Sequence, residues 1–202
     1  MKKIREIVFM GLRLKISGAV YEPSDDTEIL AKAALSLVKS GEKILEIGCG
    51  AGAISILLAK KGCKVMATDI SKEAVEITKI NAKINNVHID IRWGDLFEPV
   101  EDKFDVIIFN PPYLPKDDLD ILIPGEFKKS IIGGEKGNEI VIRFIENMPR
   151  YLKREGYALI VLSSLSKIEE VLEKIKRYKM KYEIVMKKKF FFEEIYVLKI
   201  SF

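Results

Sequence analysis

Residues 42–162 alternate short, β-branched apolar runs with stretches of helical period, and this alternation restricts the fold more than any other feature of the chain. Runs at 43–47 (KILEI), 64–69, 89–93 and 104–109 (FDVIIF) predict strands. The last is nearly all apolar, as a strand covered on both faces must be. Between them, 53–61 predicts a helix. A second helix follows Ser71, a suitable N-cap, with Ala74, Val75, Ile77, Thr78, Ile80, Asn81 and Ile84 recurring at helical spacing. Further on, 138–152 predicts a helix, 157–162 a strand, 167–178 a helix, and 182–191 and 195–201 two final strands. Parallel strands joined by helices need right-handed crossovers, so the expected fold is α/β with a mostly parallel, doubly wound sheet. Only Phe192, Glu193 and Glu194 separate the last two strands, too few for a crossover helix, so these should form a C-terminal antiparallel hairpin. A ligand is then expected at the carboxyl ends of the strands, where strand order reverses.

At 202 residues, with 48% hydrophobic and 32% charged side chains, the chain can bury one full core. A single domain over 1–202 is expected, with an N-terminal segment and first helix at 1–40 and the core at 41–202. The longest uncharged stretch, 47–59, is too short and glycine-rich to span a bilayer. The start at Met1, Lys2 and Lys3 is basic, but Arg13 and Lys15 closely follow the apolar patch at 7–10, so it does not read as a signal peptide. A cytoplasmic protein without membrane partners is the expectation. Cys49 and Cys63 lack metal-ligand spacing, and the single histidine, His88, reads as a loop residue before a strand, so no metal site is expected. The net charge of +4 is mild. The chain has 27 lysines, 29 isoleucines and no glutamine, a thermophile-like skew. It accounts for Lys179, Lys181 and the cluster at 187–189 as solvated surface.

Four successive strand ends carry a binding pattern. The first runs into Glu46-Ile47-Gly48-Cys49-Gly50-Ala51-Gly52, whose glycines allow a tight turn and close backbone approach. The spacing is GxGxG and not the GxGxxG that sets a helix N-terminus against a pyrophosphate. The second ends at Asp69, followed by Ile70, where a carboxylate can accept both hydroxyls of a ribose. After the third come Asp95, placed to accept an adenine amine, and Leu96, placed to pack on the ring. The fourth runs into Asn110-Pro111-Pro112-Tyr113, where the prolines fix the backbone and remove amide donors. The Asn110 side-chain oxygen and the Pro111 carbonyl then remain as fixed acceptors for an NH2 group on a planar carbon. Tyr113 offers a ring face for such a group.

These motifs resemble those of the class I methyltransferases acting on planar amines. The segment Tyr21-Glu22-Pro23-Ser24-Asp25-Asp26-Thr27 resembles the YxPxxDT stretch of the HemK family, and Gly133-Gly134-Glu135-Lys136-Gly137 resembles its GGxxG stretch. The resemblance covers the chain from about Tyr21 onward, and the length matches the short archaeal and eukaryotic branch. It implies a Rossmann-like fold that binds S-adenosyl-L-methionine (SAM) and releases S-adenosyl-L-homocysteine. The site it implies has cofactor contacts from Tyr21, Pro23, Thr27, Glu46, Gly48, Gly50, Gly52, Asp69, Ile70, Asp95, Leu96 and Asn110. Catalysis falls to Asn110, Pro111, Pro112 and Tyr113, with residues 133–137 as a mobile lid over the target amine. The implied substrate is the glutamine of the GGQ motif in a class-1 translation release factor, and the implied partner a small zinc-binding activator subunit. Methylation of an exocyclic adenine or cytosine amine in DNA or RNA is an alternative, because such bases also present a planar NH2. The absence of a basic stripe with interleaved aromatics leans against it. Lysine methylation of a protein is a third reading.

Overall fold

The computed structural model describes residues 4–117, 125–128 and 130–202, so the basic Met1, Lys2 and Lys3 lie outside the described residues. In chain order the elements begin with β1 (Ile4–Phe9), β2 (Leu12–Ser17), α1 (Asp25–Leu37), β3 (Lys43–Ile47) and α2 (Ala53–Lys60). Next come β4 (Lys64–Asp69), α3 (Lys72–Ile84), β5 (Asp90–Trp93), β6 (Phe104–Phe109), β7 (Leu114–Pro115), α4 (Gly125–Lys128) and β8 (Ile132–Gly134). The chain closes with α5 (Glu139–Asn147), a 3-10 turn (Met148–Arg150), β9 (Leu152–Ser163), α6 (Ile168–Arg177), β10 (Lys181–Lys189) and β11 (Glu194–Ser201).

Seven strands form the central sheet in the order β10-β11-β9-β6-β3-β4-β5. β3 pairs parallel with both β4 and β6, and β6 pairs parallel with β9. β11 is inserted antiparallel between β9 and β10, and the four residues 190–193 that link it to β10 are too few for a crossover helix. Strand order therefore reverses beside β3, between β4 and β6. The alternation of side chains divides the core into two layers. Ile44, Val106, Ile108 and Val161 face α1, α2 and α3, while Leu45, Ile107, Phe109 and Ile160 face α5 and α6.

The structure departs from the sequence expectation at β7, α4 and β8, which have no counterpart in it, at β9, which begins at Leu152, and at two further places. The first 20 residues hold a hairpin, β1 with β2, closed by Met10 and Gly11 at φ 46° and 80°. Its buried face, Leu12, Leu14 and Ile16, joins the core. Asn81 ties it to α3, accepting at Oδ1 from Lys15 N (2.6 Å) and donating from Nδ2 to Lys15 O (2.9 Å). The helix expected over 138–152 ends as an α-helix at Asn147 and closes in the 3-10 turn. Pro149 has no N–H to donate to Ile145, so the α-helical ladder cannot continue.

Candidate active site

At the carboxyl ends of β3, β4 and β6 lies a cleft of about 370 Å³. Its floor is the turn from β3 into α2. Gly48, Gly50 and Gly52 all take left-handed φ, at 66°, 54° and 80°. Gly52 is the most constrained, because a Cβ there would lie 2.6 Å from Thr78 Cγ2. The loop is held from α3: Thr78 Oγ1 donates to Gly50 O (2.9 Å), and Asn81 Nδ2 donates to Ala51 O (2.9 Å). Thr78 and Asn81 read in the sequence as part of a helical apolar stripe. Their long-range bonds to loop carbonyls have no local signal.

Asp69, at the end of β4, is buried beside this loop. Its Oδ2 accepts from Gly50 N (2.9 Å) and its Oδ1 from Ser71 N (2.8 Å), so the carboxylate joins two strand ends and still has lone pairs for a ligand. Burial raises its pKa, against the opposing effect of those two N–H bonds. Ser71 caps α3 as expected, accepting from Ala74 N. Glu46 lines the cleft, but its Oε2 accepts from the Ser55 N–H (2.8 Å) and hydroxyl, so it also holds the first turn of α2. Burial pushes its carboxyl up to about 8, with Asp69 adding to the rise.

That shift gives a pH dependence. Unfolded, Glu46 loses its proton near 4.5; folded, near 8. Between those values unfolding releases a proton, so stability falls as pH rises through the window. Urea midpoints measured from pH 5 to 8 should fall in the wild type and fall less in Glu46→Gln. Equal slopes would contradict the assignment.

Asp95, Leu96 and Ile70 also line the cleft. Asp95 Oδ2 pairs with Arg143 Nη2 at 2.7 Å, and its Oδ1 is still able to accept. Leu96 takes a left-handed φ of 47° and accepts at its carbonyl from Thr68 Oγ1 (3.2 Å).

The opposite wall is Asn110 to Tyr113 from β6, facing the N-terminus of α1. Asn110 Nδ2 donates to Asp26 Oδ2 (3.1 Å) and Thr27 Oγ1 (3.5 Å). Its Oδ1 is one of three buried side-chain polar atoms among the described residues with no hydrogen-bond partner. Such an atom is costly unless a ligand satisfies it. Tyr21 and Pro23 line the same wall. The Tyr21 hydroxyl donates to Asp26 Oδ2 (3.1 Å), and the Tyr113 hydroxyl reaches it at 3.5 Å. Burial, then the Asp26 charge, pushes Tyr21 up to about 12, and the same causes raise Tyr113, so both remain donors near neutral pH. Asp26 is thus a site residue that the sequence reading left out, although the aspartate of YxPxxDT falls on it.

Residues 133–137 differ from the expected mobile lid. β8 pairs with β7, Leu114 N donating to Ile131 O (3.0 Å) and Lys116 N to Gly134 O (2.9 Å). A Cβ on Gly133 would lie 2.5 Å from both Pro112 O and Gly137 O. The stretch is a brace packed against the Pro-Pro backbone. Among the described residues there is no cluster of His, Cys, Asp and Glu able to hold a metal ion, and no helix long and apolar enough to cross a membrane.

A parallel sheet with one inserted antiparallel strand, and a glycine turn at its reversal point, define the class I SAM-dependent methyltransferase architecture. Residues 24–129 match the Methyltransferase small domain family, and residues 81–194 match the Eco57I restriction-modification methylase family. The proposed protein N5-glutamine methyltransferase of Methanocaldococcus jannaschii is 44% identical, covering 93% of this chain and 94% of that one. Release factor glutamine methyltransferases of Aquifex aeolicus and Bacillus cereus are 40% and 35% identical over 82% and 74% of this chain, which spans only 63% and 58% of their lengths. The E. cuniculi Mtq2–Trm112 complex, responsible for methylation of the eRF1 translation termination factor, superposes with a TM-score of 0.72 at 25% identity, over 91% of this chain and 98% of that one. A T. thermophilus 16S rRNA methyltransferase superposes with a TM-score of 0.74 at 17% identity, over 98% of this chain and 50% of that one, a likeness of fold alone. The chain belongs to the HemK family of SAM-dependent protein glutamine methyltransferases.

Proposed function

We propose that this chain methylates the side-chain amide nitrogen of the glutamine in the GGQ motif of a class-1 translation release factor, in the cytoplasm. The observation that carries the reading is the buried, unpartnered Asn110 Oδ1 at the wall of the cleft, an acceptor without a donor. A primary carboxamide supplies that donor. The names of the relatives support the substrate class.

SAM supplies an electrophilic methyl group on a sulfonium when bound. The residues present fit it: a glycine cradle open to close approach, the Asp69 carboxylate for a ribose, and an apolar flank from Ile70 and Leu96 for a ring. The Asn110 oxygen and the Pro111 carbonyl accept the two amide hydrogens of the glutamine. That withdraws the nitrogen lone pair from its carbonyl and turns it towards the methyl carbon. Positive charge develops on this nitrogen as the N–C bond forms and the C–S bond breaks, and the same acceptors stabilise it. One N–H proton then leaves to water. No strong base is required, and the remaining work is alignment for in-line displacement.

The brace enters here. Gly133→Ala would push a methyl group against the carbonyl oxygens of Pro112 and Gly137, both of them backbone. Displacing the acceptor wall by a fraction of an ångström should lower turnover about a hundredfold. SAM affinity by calorimetry should stay unchanged, and an unimpaired variant would separate the brace from catalysis.

A small zinc-binding activator subunit is part of the proposal, supported by the two-protein assembly of the E. cuniculi relative. A second reading, methylation of an exocyclic base amine, has the Eco57I match over residues 81–194 in its favour. Incubation with methyl-labelled SAM and, separately, a release factor, duplex DNA and structured RNA decides between them. Label on the release factor is the expected result, and faster labelling of nucleic acid would overturn it.

A further inference from the structure

We infer that Asp26 sets the polarity of the methyl-acceptor site, its carboxylate dictating which end of the Asn110 carboxamide faces the substrate. The inference rests on the reading of Asn110 as the acceptor for a substrate NH2 group, and deepens it. A carboxamide is almost symmetric in shape. Turning it over exchanges an acceptor oxygen for a donor NH2 at little steric cost. In the wrong orientation Asn110 would present a donor to a donor, and the substrate amide would find no partner. Something beside Asn110 must therefore choose.

Asp26 makes that choice because an ionised carboxylate only accepts. Its Oδ2 lies 3.1 Å from Asn110 Nδ2, which leaves the Asn110 Oδ1 buried and unpartnered in a side chain that lines the cleft. The other neighbour, the Thr27 hydroxyl at 3.5 Å, can donate or accept and does not discriminate alone. It becomes an acceptor towards Asn110 because its own hydrogen goes to Asp26 Oδ1 (3.2 Å). Asp26 orients both.

The carboxylate is itself immobilised. It is 2% exposed, in the first turn of α1. Oδ1 accepts from Thr27 N (2.6 Å) and the Ser24 hydroxyl (2.8 Å), and Oδ2 from the Tyr21 hydroxyl (3.1 Å). A helix N-terminus favours negative charge there. The adjacent Asp25 does the opposite, turning outward to pair with Lys188 at 2.6 Å. Two neighbouring aspartates thus have separate tasks, and only the second is a positioning residue for the acceptor.

The test exchanges the pair. Asp26→Asn is isosteric but offers an NH2 group to Asn110, so the Asn110 amide should turn over and kcat should fall about a hundredfold, with KM for SAM little changed. Asn110→Asp alone sets carboxylate against carboxylate and should be similarly impaired. The double exchange Asp26→Asn/Asn110→Asp restores donor to acceptor and leaves an oxygen facing the cleft. It should recover at least about tenfold over either single variant, whereas a merely structural Asp26 predicts a double worse than both. A second readout needs no substrate: the Asn110 side-chain amide signals in nitrogen-15 NMR, identified by their absence in Asn110→Asp. Asp26→Asn should shift them strongly, and Asp26→Ala, the variant to use if Asp26→Asn does not fold, should do so too. Unmoved signals, or a double variant worse than its parents, overturn the inference. If the wild type labels no glutamine, the substrate reading fails and the amide signals still decide the role of Asp26.

Discussion

Asn110→Ala is expected to lose about two to three orders of magnitude in turnover, the loss seen when one preorganised transition-state contact is removed. The side chain lies at the end of β6 with its nitrogen held by Asp26 and Thr27, so its oxygen needs no reorganisation when the substrate arrives. Removing it relieves an unsatisfied buried acceptor but also takes a hydrogen-bond donor from the buried Asp26, so the fold of the variant is checked by thermal unfolding. SAM affinity should stay close to the wild-type value, because the glycine turn and Asp69 are left intact. The check is single-turnover methylation beside calorimetric titration with SAM. Retained turnover in the purified variant would remove Asn110 from the chemistry.

The second large effect is on the cofactor. Asp69→Ala should weaken SAM binding by one to two orders of magnitude, from the loss of charge-assisted hydrogen bonds worth about 1.5–3 kcal/mol. The upper end is favoured because Asp69 has two tasks. It clips Gly50 N and Ser71 N, so the variant loses a restraint on the glycine turn besides the proposed ribose acceptor. Asp69→Asn should be intermediate, since its amide can accept from only one of those N–H groups. Unchanged affinity for SAM in Asp69→Ala would contradict the ribose assignment.

The parts of the fold that were legible rest on local periodicity and on connection length. The parallel strands β3 to β6 show as apolar runs, and the antiparallel pairing of β10 with β11 follows from a link too short for a crossover helix. The placement of Asp69 and Asn110 at strand ends lining the cleft was legible, because a polar residue ending a buried strand has few other reasons to be there. The β1–β2 hairpin is masked in the sequence by Arg13 and Lys15, which interrupt its apolar residues. The alternation of Leu12, Leu14 and Ile16 around them, with Gly11 at the turn, is the signal that was present. Pro149 likewise marked where α5 stops. Asp26 is different in kind: it sits beside Asp25 in the same helical turn, and only the docking of α1 against the end of β6 tells which carboxylate points inward. The brace at residues 133–137 and the Arg143 pairing of Asp95 also depend on contacts between distant segments, which no local pattern encodes.

The central claim is that the acceptor wall receives a primary amide, and the glutamine itself is the place to test it. A release factor and its variant with that glutamine replaced by glutamate are incubated side by side with methyl-labelled SAM and this enzyme. The carboxylate offers no NH2 hydrogens to Asn110 Oδ1 and no nitrogen to methylate, so label should appear on the wild-type factor and be absent from the variant. Equal labelling of both factors would contradict the account.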